Sequence, residues 1–492
     1  LGHALSFAAA DLGAESGRVM LGRFDGERLS LSEAHRFDSR PVRLPDGLHT
    51  DVLRIFSEIE AGLAALARGG DELAGIGVDT WGVDFALLDA EGVLLGNPWH
   101  YRDVLGSGVM ERAFARVPRA EIFAATGVQV LELNTLFQLL RMQERGASML
   151  GAARRLLFMP DIFSYWLCGR AASERTIATT SQCFDVAAGR WADALLERFS
   201  LPAGLFGEVV PPGTLLGELL PHVGEETGLH RTPIVAVGGH DTALAVAAVP
   251  AAGEGFAYVS SGTWSLLGAE IPRPRIDEAS RAANFTNEGG VAGTIRFLKN
   301  LCGLWLVQEC RRHWARHGEE GSYDELARLA AAAPAFRSLV DVDDPVFAAP
   351  GDMPSRIRDS CRATGQPVPE SKGEIVRAAL DSLALKYRYV LAQAEGILGR
   401  RLSPIHVVGG GSRNRLLCQL AADATGRPVV AGPVEATAAG NVLMQALALG
   451  RLGSLADLRE VVRRSFEIVT FEPRPQPAAE DAYARLLALV ER

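Results

Sequence analysis

The sequence predicts an α/β fold assembled twice along the chain, with a ligand cleft between the two halves. Three observations carry this. A strand, a polar glycine turn and a second strand follow one another over residues 8–22, and the same order returns over residues 256–268. Apolar strand-like runs at 233–237 and 405–408 each end on glycines and open into a helical pattern. That punctuation points the carboxyl end of a strand at a ligand, as open α/β sheets do. The chain has 492 residues, more than one hydrophobic core usually serves, so two or three domains are expected. The boundary falls in the Pro-, Ala- and Gly-rich stretch 250–255, giving an N-terminal domain of residues 1–249 and a C-terminal domain of residues 250–492.

Along the first half, residues 8–11 and 18–24 read as strands around a glycine turn, and 53–67 has helical spacing that stops at Gly69-Gly70. Residues 76–79 are a second buried strand, and 85–89 a third with a hairpin turn at 90–92. Residues 105–230 are helical and loop-like, and 242–249 is an apolar helix. In the second half, 380–398 is a strongly amphipathic helix, 413–425 a helix stopped by Gly426, and 436–449 another helix. The alanines 330–333 read as a helix end, and the chain beyond about residue 463 as a peripheral tail.

Composition narrows the function. Hydrophobic residues make up 48% and charged residues 22%, enough apolar material for a core without covalent staples. The net charge of −9, with no long basic run, argues against nucleic acid or an anionic membrane as the main partner. Phosphate ligands stay open, because backbone N–H groups bind them without a basic surface. The cysteines, Cys168, Cys183, Cys302, Cys310, Cys361 and Cys418, lie far apart and form no Cys-x-x-Cys pair. They read as reduced, mostly buried thiols of a cytoplasmic protein, not as zinc ligands. No apolar run reaches the ~18 residues needed to span a bilayer. The first residues lack a basic segment followed by an apolar one, so no signal peptide is expected.

Several short motifs carry possible chemistry. Asp241 follows strand 233–237 and Gly238-Gly239, where the next helix begins. It reads either as an N-cap for the first helical turn or as a ligand-facing carboxylate at a strand tip. Residues 11–18, DLGAESGR, form a turn that can aim N–H groups at phosphate oxygens, with Asp11 placed to hold hydrated Mg²⁺. The alternative is a plain hairpin with Arg18 at the surface. Ser260-Ser261-Gly262-Thr263 repeats that design and the same alternative. Gly409-Gly410-Gly411-Ser412 lets a nucleotide lie on bare backbone, or lets a helix pack closely on its strand. It is neither a Walker-type loop nor a G-x-G-x-x-G after a first strand. Residues 79–84, DTWGVD, place an indole among carboxylates, a way to hold a sugar by its apolar face and its hydroxyls, unless Trp81 is simply core. Lys299-Asn300 offers polar groups near the helix that carries Trp305 and Gln308, or a surface cap. His240, His313 and His406 are too widely spaced to suggest a histidine metal site.

Taken in order, DLGAESGR (11–18), DTWGVDF (79–85), YRD (101–103), NTLFQL (134–139), MPDIFSYWLCG (159–169), ATTSQ (178–182), HDTA (240–243), YVSSGTWSLLG (258–268), NFTNEGG (284–290), LKNLCGLWLVQ (298–308), VVGGGSRN (407–414) and AGPVEATAAGN (431–441) resemble the FGGY carbohydrate kinases, and within them those acting on L-rhamnulose. The resemblance covers most of the chain. It implies an actin-like ATPase (ribonuclease H-like) fold of two duplicated domains, with ATP and sugar in the cleft between them. Trp81-Gly82 stands where glycerol kinase has a charged pair. Two departures are Glu15, where a small Ser is usual, and Ala9-Ala10, where bulkier residues are usual.

What the resemblance implies is a kinase passing the γ-phosphoryl group of Mg·ATP to the 1-hydroxyl of L-rhamnulose, a step of L-rhamnose breakdown. Asp241 would be the general base. Trp81, Gly82, His240, Thr242 and Asn300 would bind the sugar. Ala14, Glu15, Ser16, Gly17, Arg18, Thr263, Gln308 and Gly410 would line the nucleotide site. Asp11 and Asp241 would partner hydrated Mg²⁺. A monomer or homodimer is expected, with no nucleic-acid or membrane partner. The nearest alternative is a kinase for another ketose or polyol, such as L-fuculose or D-xylulose. A non-enzymatic actin-like ATPase is a further one, opposed by the presence of both DTWGVDF and HDTA.

Overall fold

Phe7 to Leu12 are all buried, on both faces of the strand Leu5–Leu12. A strand covered on both faces belongs in the middle of a sheet with helices above and below. The computed structural model, which describes residues 4–104 and 106–491, places it there. The first three residues, part of the segment read for a signal peptide, lie outside the described residues. The sheet has six strands in the order Thr214–Glu218, Pro233–Ala236, Leu73–Thr80, Leu5–Leu12, Ser16–Phe24 and Leu29–Asp38. Leu5–Leu12 and Pro233–Ala236 both run parallel to Leu73–Thr80 between them. Asp11 lies opposite Asp79 in that register, and Thr80 bridges to His240 just beyond the third strand. Carboxylates therefore stand at or just past the carboxyl ends of three adjacent parallel strands.

Side-chain size decides which helix covers which face. The helix Val52–Arg68 packs on the face that carries Val19, Ile76 and Val78, and Gly62 gives Val19 its room. Gly22, Gly75 and Gly77 occupy the opposite face, two residues apart along their strands as the pleat requires. The Ala-rich helix Ala436–Ala448 lies on them. A Cβ at Gly22 would come within 2.5 Å of Val442, and one at Gly77 within 2.5 Å of Asn441. Gln445 Nε2 completes the contact by donating to the Ala8 carbonyl at 2.9 Å.

These elements belong to one unit, made of residues 1–248, 271–297 and 436–465; the other comprises 249–270, 298–435 and 466–492. The chain thus leaves the first unit close to residue 249 and returns to it twice. In the second unit, Ala257–Ser261 pairs antiparallel with Trp264–Ile271 and parallel with Ile405–Val408. Ile405–Val408 in turn pairs with Val429–Ala431, whose outer neighbour is Val469–Phe471. Both units therefore set a first strand between its hairpin partner and a parallel neighbour, the repetition heard in residues 8–22 and 256–268.

Local signals explain where elements differ from their expected extents. The helix expected at 380–398 begins earlier, as Lys372–Leu398, because Ser371 and Glu374 form a reciprocal capping box. The helix expected from 413 begins at Arg415, with Asn414 as its cap, after a 3₁₀ turn over Gly410–Arg413. Phe85–Leu88 pairs with Arg155–Phe158, and the turn at 90–92 leads only to a single bridge between Leu88 and Leu94. The tail contributes the edge strand Val469–Phe471 and the helix Ala479–Val490. All six cysteines are free. No helix among the described residues is long and apolar enough to cross a membrane.

Candidate active site

Glu174 and Thr176 hold the turn that presents Asp241. Glu174 Oε2 accepts from the Gly239 N–H at 2.6 Å, and Thr176 Oγ1 accepts from the His240 N–H at 3.1 Å. Glu174 also caps the short helix Arg175–Ala178, taking the N–H groups of Thr176 and Ile177. The helix that follows the turn is Asp241–Ala247, and its N-cap is His240. The capping reading of Asp241 is therefore corrected: it is the first helical residue. Its Oδ1 accepts from the Thr242 N–H at 2.6 Å and from Thr242 Oγ1 at 3.2 Å. The side chain is 32% exposed, so a hydroxyl can reach it, at a helix end whose dipole favours an anion.

The turn at 81–84 is strained and firmly held. Val83, a β-branched residue, has φ 70°, and the Asp84 N–H donates to the Gly82 carbonyl at 3.0 Å. Three-residue turns with positive φ are rare and cost energy, so other contacts must hold them. Thr180 Oγ1 accepts from the Val83 N–H at 3.1 Å. The Val83 carbonyl accepts from Thr135 Oγ1 at 2.6 Å and from Gln138 Nε2 at 3.3 Å. The result is that Gly82 faces His240: a Cβ on Gly82 would lie 3.4 Å from His240 Nε2 and 3.3 Å from Thr180. Trp81, read either as a sugar platform or as core, is buried. Its ring packs in the hydrophobic core and its Nε1–H donates to Asp84 Oδ2 at 2.9 Å, so it supports the turn from behind.

Asp84 is wholly buried, and burial pushes its carboxyl up to about 7 against the donors Trp81, the Tyr101 backbone and Gln138. With the folded value above the unfolded one, the stabilising contribution is complete below pH ~4 and is lost as pH rises through about 7. Asp84→Asn is expected to remove that fall, which is of the order of 4 kcal/mol across the window and about 3 kcal/mol of it between pH 5 and pH 8. Urea denaturation at pH 5 and pH 8 measures it; an undiminished difference between the two pH values would refute the assignment.

The carboxylates at the strand ends influence one another. Burial first, then the nearby Asp11 and Asp241 carboxylates, push Asp79 well above the ordinary carboxylate range. Asn441 Nδ2, from the helix Ala436–Ala448, donates to Asp79 Oδ2 at 2.7 Å, while the buried Oδ1 has no partner. Arg18 pairs with Asp11, its Nη2 donating to Asp11 Oδ2 at 2.7 Å. Glu15 lies 3.6 Å from Arg102, which accounts for an acidic residue in a phosphate-type turn. Ala14, Ser16 and Gly17 belong to the same hairpin, which the Gly13 N–H closes by donating to the Ser16 carbonyl at 3.0 Å. Among the described residues no group of three or more His, Cys, Asp or Glu side chains is arranged to hold a metal ion. A Mg²⁺ ion that keeps most of its waters needs only one or two carboxylates, fewer than such a group.

The second unit carries the other expected residues. Thr263 Oγ1 donates to Gln308 Oε1 at 2.9 Å, joining two positions 45 residues apart. A Cβ on Gly409 would lie 3.1 Å from the Ser261 carbonyl, and one on Gly411 would collide with Ser261, so these glycines serve close packing of the two turns. Gly410 is different: nothing stands within 4 Å of a Cβ there, and the residue is exposed. Asn300 lies within the strand Ile295–Cys302 and not at a helix start.

Residues that local reading missed are Glu174, Thr176 and Thr180, the Asp79 partner Asn441, and the pair Glu288 and Arg296 beside His240. Thr180, Glu288 and Asn441 lie in the matching stretches ATTSQ, NFTNEGG and AGPVEATAAGN, whereas Glu174, Thr176 and Arg296 lie outside every such stretch, and their partners in the site are tens to hundreds of residues away.

Comparison with known proteins gives the family and the fold. Residues 9–248 match the N-terminal domain of the FGGY family of carbohydrate kinases, and residues 257–449 match its C-terminal domain. A rhamnulokinase from Bacteroides thetaiotaomicron is 46% identical over 478 residues, covering 97% of this chain and 98% of that protein. A rhamnulokinase from Klebsiella pneumoniae subsp. pneumoniae is 42% identical over 470 residues, covering 95% and 94%. The crystal structure of a gluconate kinase from Lactobacillus acidophilus aligns with a TM-score of 0.80 at 15% identity, covering 99% of this chain and 97% of that one. That of Plasmodium falciparum glycerol kinase with ADP aligns with a TM-score of 0.80 at 14% identity, covering 100% and 99%. At such identities the last two speak for the fold alone.

Proposed function

This chain belongs to the FGGY family of carbohydrate kinases, with the family's two-domain, actin-like α/β fold, and we propose that it phosphorylates L-rhamnulose at the 1-hydroxyl, giving L-rhamnulose 1-phosphate and ADP. The observation that carries the reading is the Asp241 carboxylate, accessible and oriented by Thr242, beside His240 and the open Gly82 turn. Phosphoryl transfer through a loose transition state needs alignment and charge stabilisation above all, with removal of the hydroxyl proton helping. Asp241 takes that proton. Gly82 leaves room for the sugar where a side chain would fill it, and His240 and Thr242 supply polar groups for its hydroxyls. Thr263, Gln308 and Gly410 line the nucleotide site, and the hairpin Ala14–Arg18 offers backbone N–H groups to phosphate oxygens. Asp11 and Asp241 would hold hydrated Mg²⁺, which neutralises phosphate charge when bound.

A panel of L-rhamnulose, L-fuculose, D-xylulose and glycerol, assayed by coupled ADP release, tests the substrate. L-Rhamnulose is expected to give the highest kcat/KM. A higher value for another acceptor, or ATP hydrolysis indifferent to sugar, would overturn the reading. Gly410→Leu probes the nucleotide role separately. With open space around Gly410 the fold should persist, while the KM for ATP rises about tenfold and the sugar KM stays within about twofold. An unchanged KM for ATP would remove Gly410 from the nucleotide site.

A further inference from the structure

The two ring nitrogens of His240 meet different neighbours. Arg296 is wholly buried, and its Nη2 donates to His240 Nδ1 at 3.0 Å. Its Nε donates to the Gly289 carbonyl at 2.9 Å, and Glu288 Oε2 lies 3.0 Å from Nη2. Against its burial, the Arg296 charge holds the Glu288 carboxyl below the usual range, so the guanidinium has a fixed counter-charge. On the other side of the ring, Nε2 lies 3.3 Å from Asp241 Oδ1 and faces Gly82.

A guanidinium has donors only, so a nitrogen that receives its hydrogen bond must present a lone pair. Glu288 Oε2 also lies 3.3 Å from Nδ1, and a proton on Nδ1 would serve it. That proton would, however, set N–H against N–H with Arg296, and the Glu288 oxygen makes no well-directed hydrogen bond while Arg296 makes one. We infer that Arg296 is a positioning residue: it fixes His240 as the Nε2–H tautomer, so the ring donates its single proton on the side of Asp241 and the Gly82 turn. There the N–H donates to a sugar oxygen next to the hydroxyl that Asp241 deprotonates. The orientation of an imidazole is commonly set in this way by whatever its far nitrogen meets. Arg296 touches no substrate in this arrangement, and the inference rests on the sugar-kinase reading of the Asp241 site.

Nitrogen-15 spectra of the 492-residue chain, labelled at the histidine rings, test the assignment, with the His240 signals identified by their loss in His240→Gln. Protonation at Nε2 alone is expected; a proton on Nδ1 overturns the inference. The double substitution of Arg296→Met with Glu288→Leu removes the donor without leaving a buried charge unpaired. It is expected to abolish the single-tautomer signature and raise the sugar KM about tenfold, the loss of one directed hydrogen bond, while the KM for ATP holds. A folded double variant with an unchanged sugar KM would overturn the link to the sugar. If the wild type shows the Nε2–H ring yet phosphorylates no ketose, the substrate reading fails and the tautomer assignment stands, so the two failures are told apart.

Discussion

Asp241→Asn is expected to fold, to bind sugar and ATP with near-normal affinity, and to transfer phosphoryl ~10²–10⁴-fold more slowly than the wild type, the range a positioned general base contributes. The asparagine side chain is isosteric and keeps a carbonyl oxygen. That oxygen can accept from the Thr242 N–H, now bound to Asp241 Oδ1 at 2.6 Å, so the first turn of the helix Asp241–Ala247 keeps its partner. Because His240 is the N-cap, no capping bond is lost either. What disappears is the basic oxygen that takes the hydroxyl proton. One negative charge also leaves the surroundings of Asp79, which removes one of the causes holding that carboxyl above its ordinary range. Calorimetric binding of sugar and nucleotide, beside turnover by ADP release, separates chemistry from affinity. Turnover like that of the wild type would remove Asp241 from the role of base, and loss of sugar binding would make it a binding group instead.

How much of this was legible in the sequence depends on range. The strand–glycine–carboxylate order at 233–241 and the small residue at Gly82 are local patterns, and the site residues they nominate do face one another in the first unit. The duplicated strand–turn–strand order needed only the alternation of apolar residues and glycines, and the sheet pairings repeat it. The role of Trp81 was not decidable locally, because an indole beside carboxylates looks the same whether its ring faces a sugar or the core. In the structure the indole is buried with the core cluster and its N–H is taken by Asp84, a partner three residues on. The capping residue was misplaced by one position because both His240 and Asp241 suit a helix start, and only the backbone angles at His240, φ −85° and ψ 118°, distinguish them. The environment of His240 was invisible, since Arg296 is 56 residues away and carries no chemistry a motif would mark. Asn441 meets Asp79 across 362 residues, a pairing set by helix packing and not by spacing.

That packing has its own expected result. Gly440→Ala should destabilise the protein by about 3 kcal/mol, although alanine is the better helix former by about 1 kcal/mol. Gly440 lies in the helix Ala436–Ala448, where it crosses the helix Asp241–Ala247. A Cβ there would collide with the Leu244 carbonyl oxygen, with the carbonyl carbon 2.7 Å away and Cα at 3.0 Å. These are backbone atoms, so no rotamer change relieves the overlap, and one helix has to shift. Leu244 is one turn beyond Asp241, so the shift passes to the carboxylate. A displacement of about 1 Å at a reacting group can cost about 10²-fold in rate, and kcat should fall accordingly even at temperatures where the variant stays folded. The Asn441–Asp79 hydrogen bond, one residue along the same helix, should loosen with it. Gly396→Ala is the matched control: it sits in the helix Lys372–Leu398 with nothing within 4 Å of the added Cβ. There the propensity gain is unopposed, and the melting temperature should rise, with stability up by about 0.5–1 kcal/mol. If Gly440→Ala proved as benign as Gly396→Ala, the close crossing of the two helices, and the support it lends to Asp241, would be refuted.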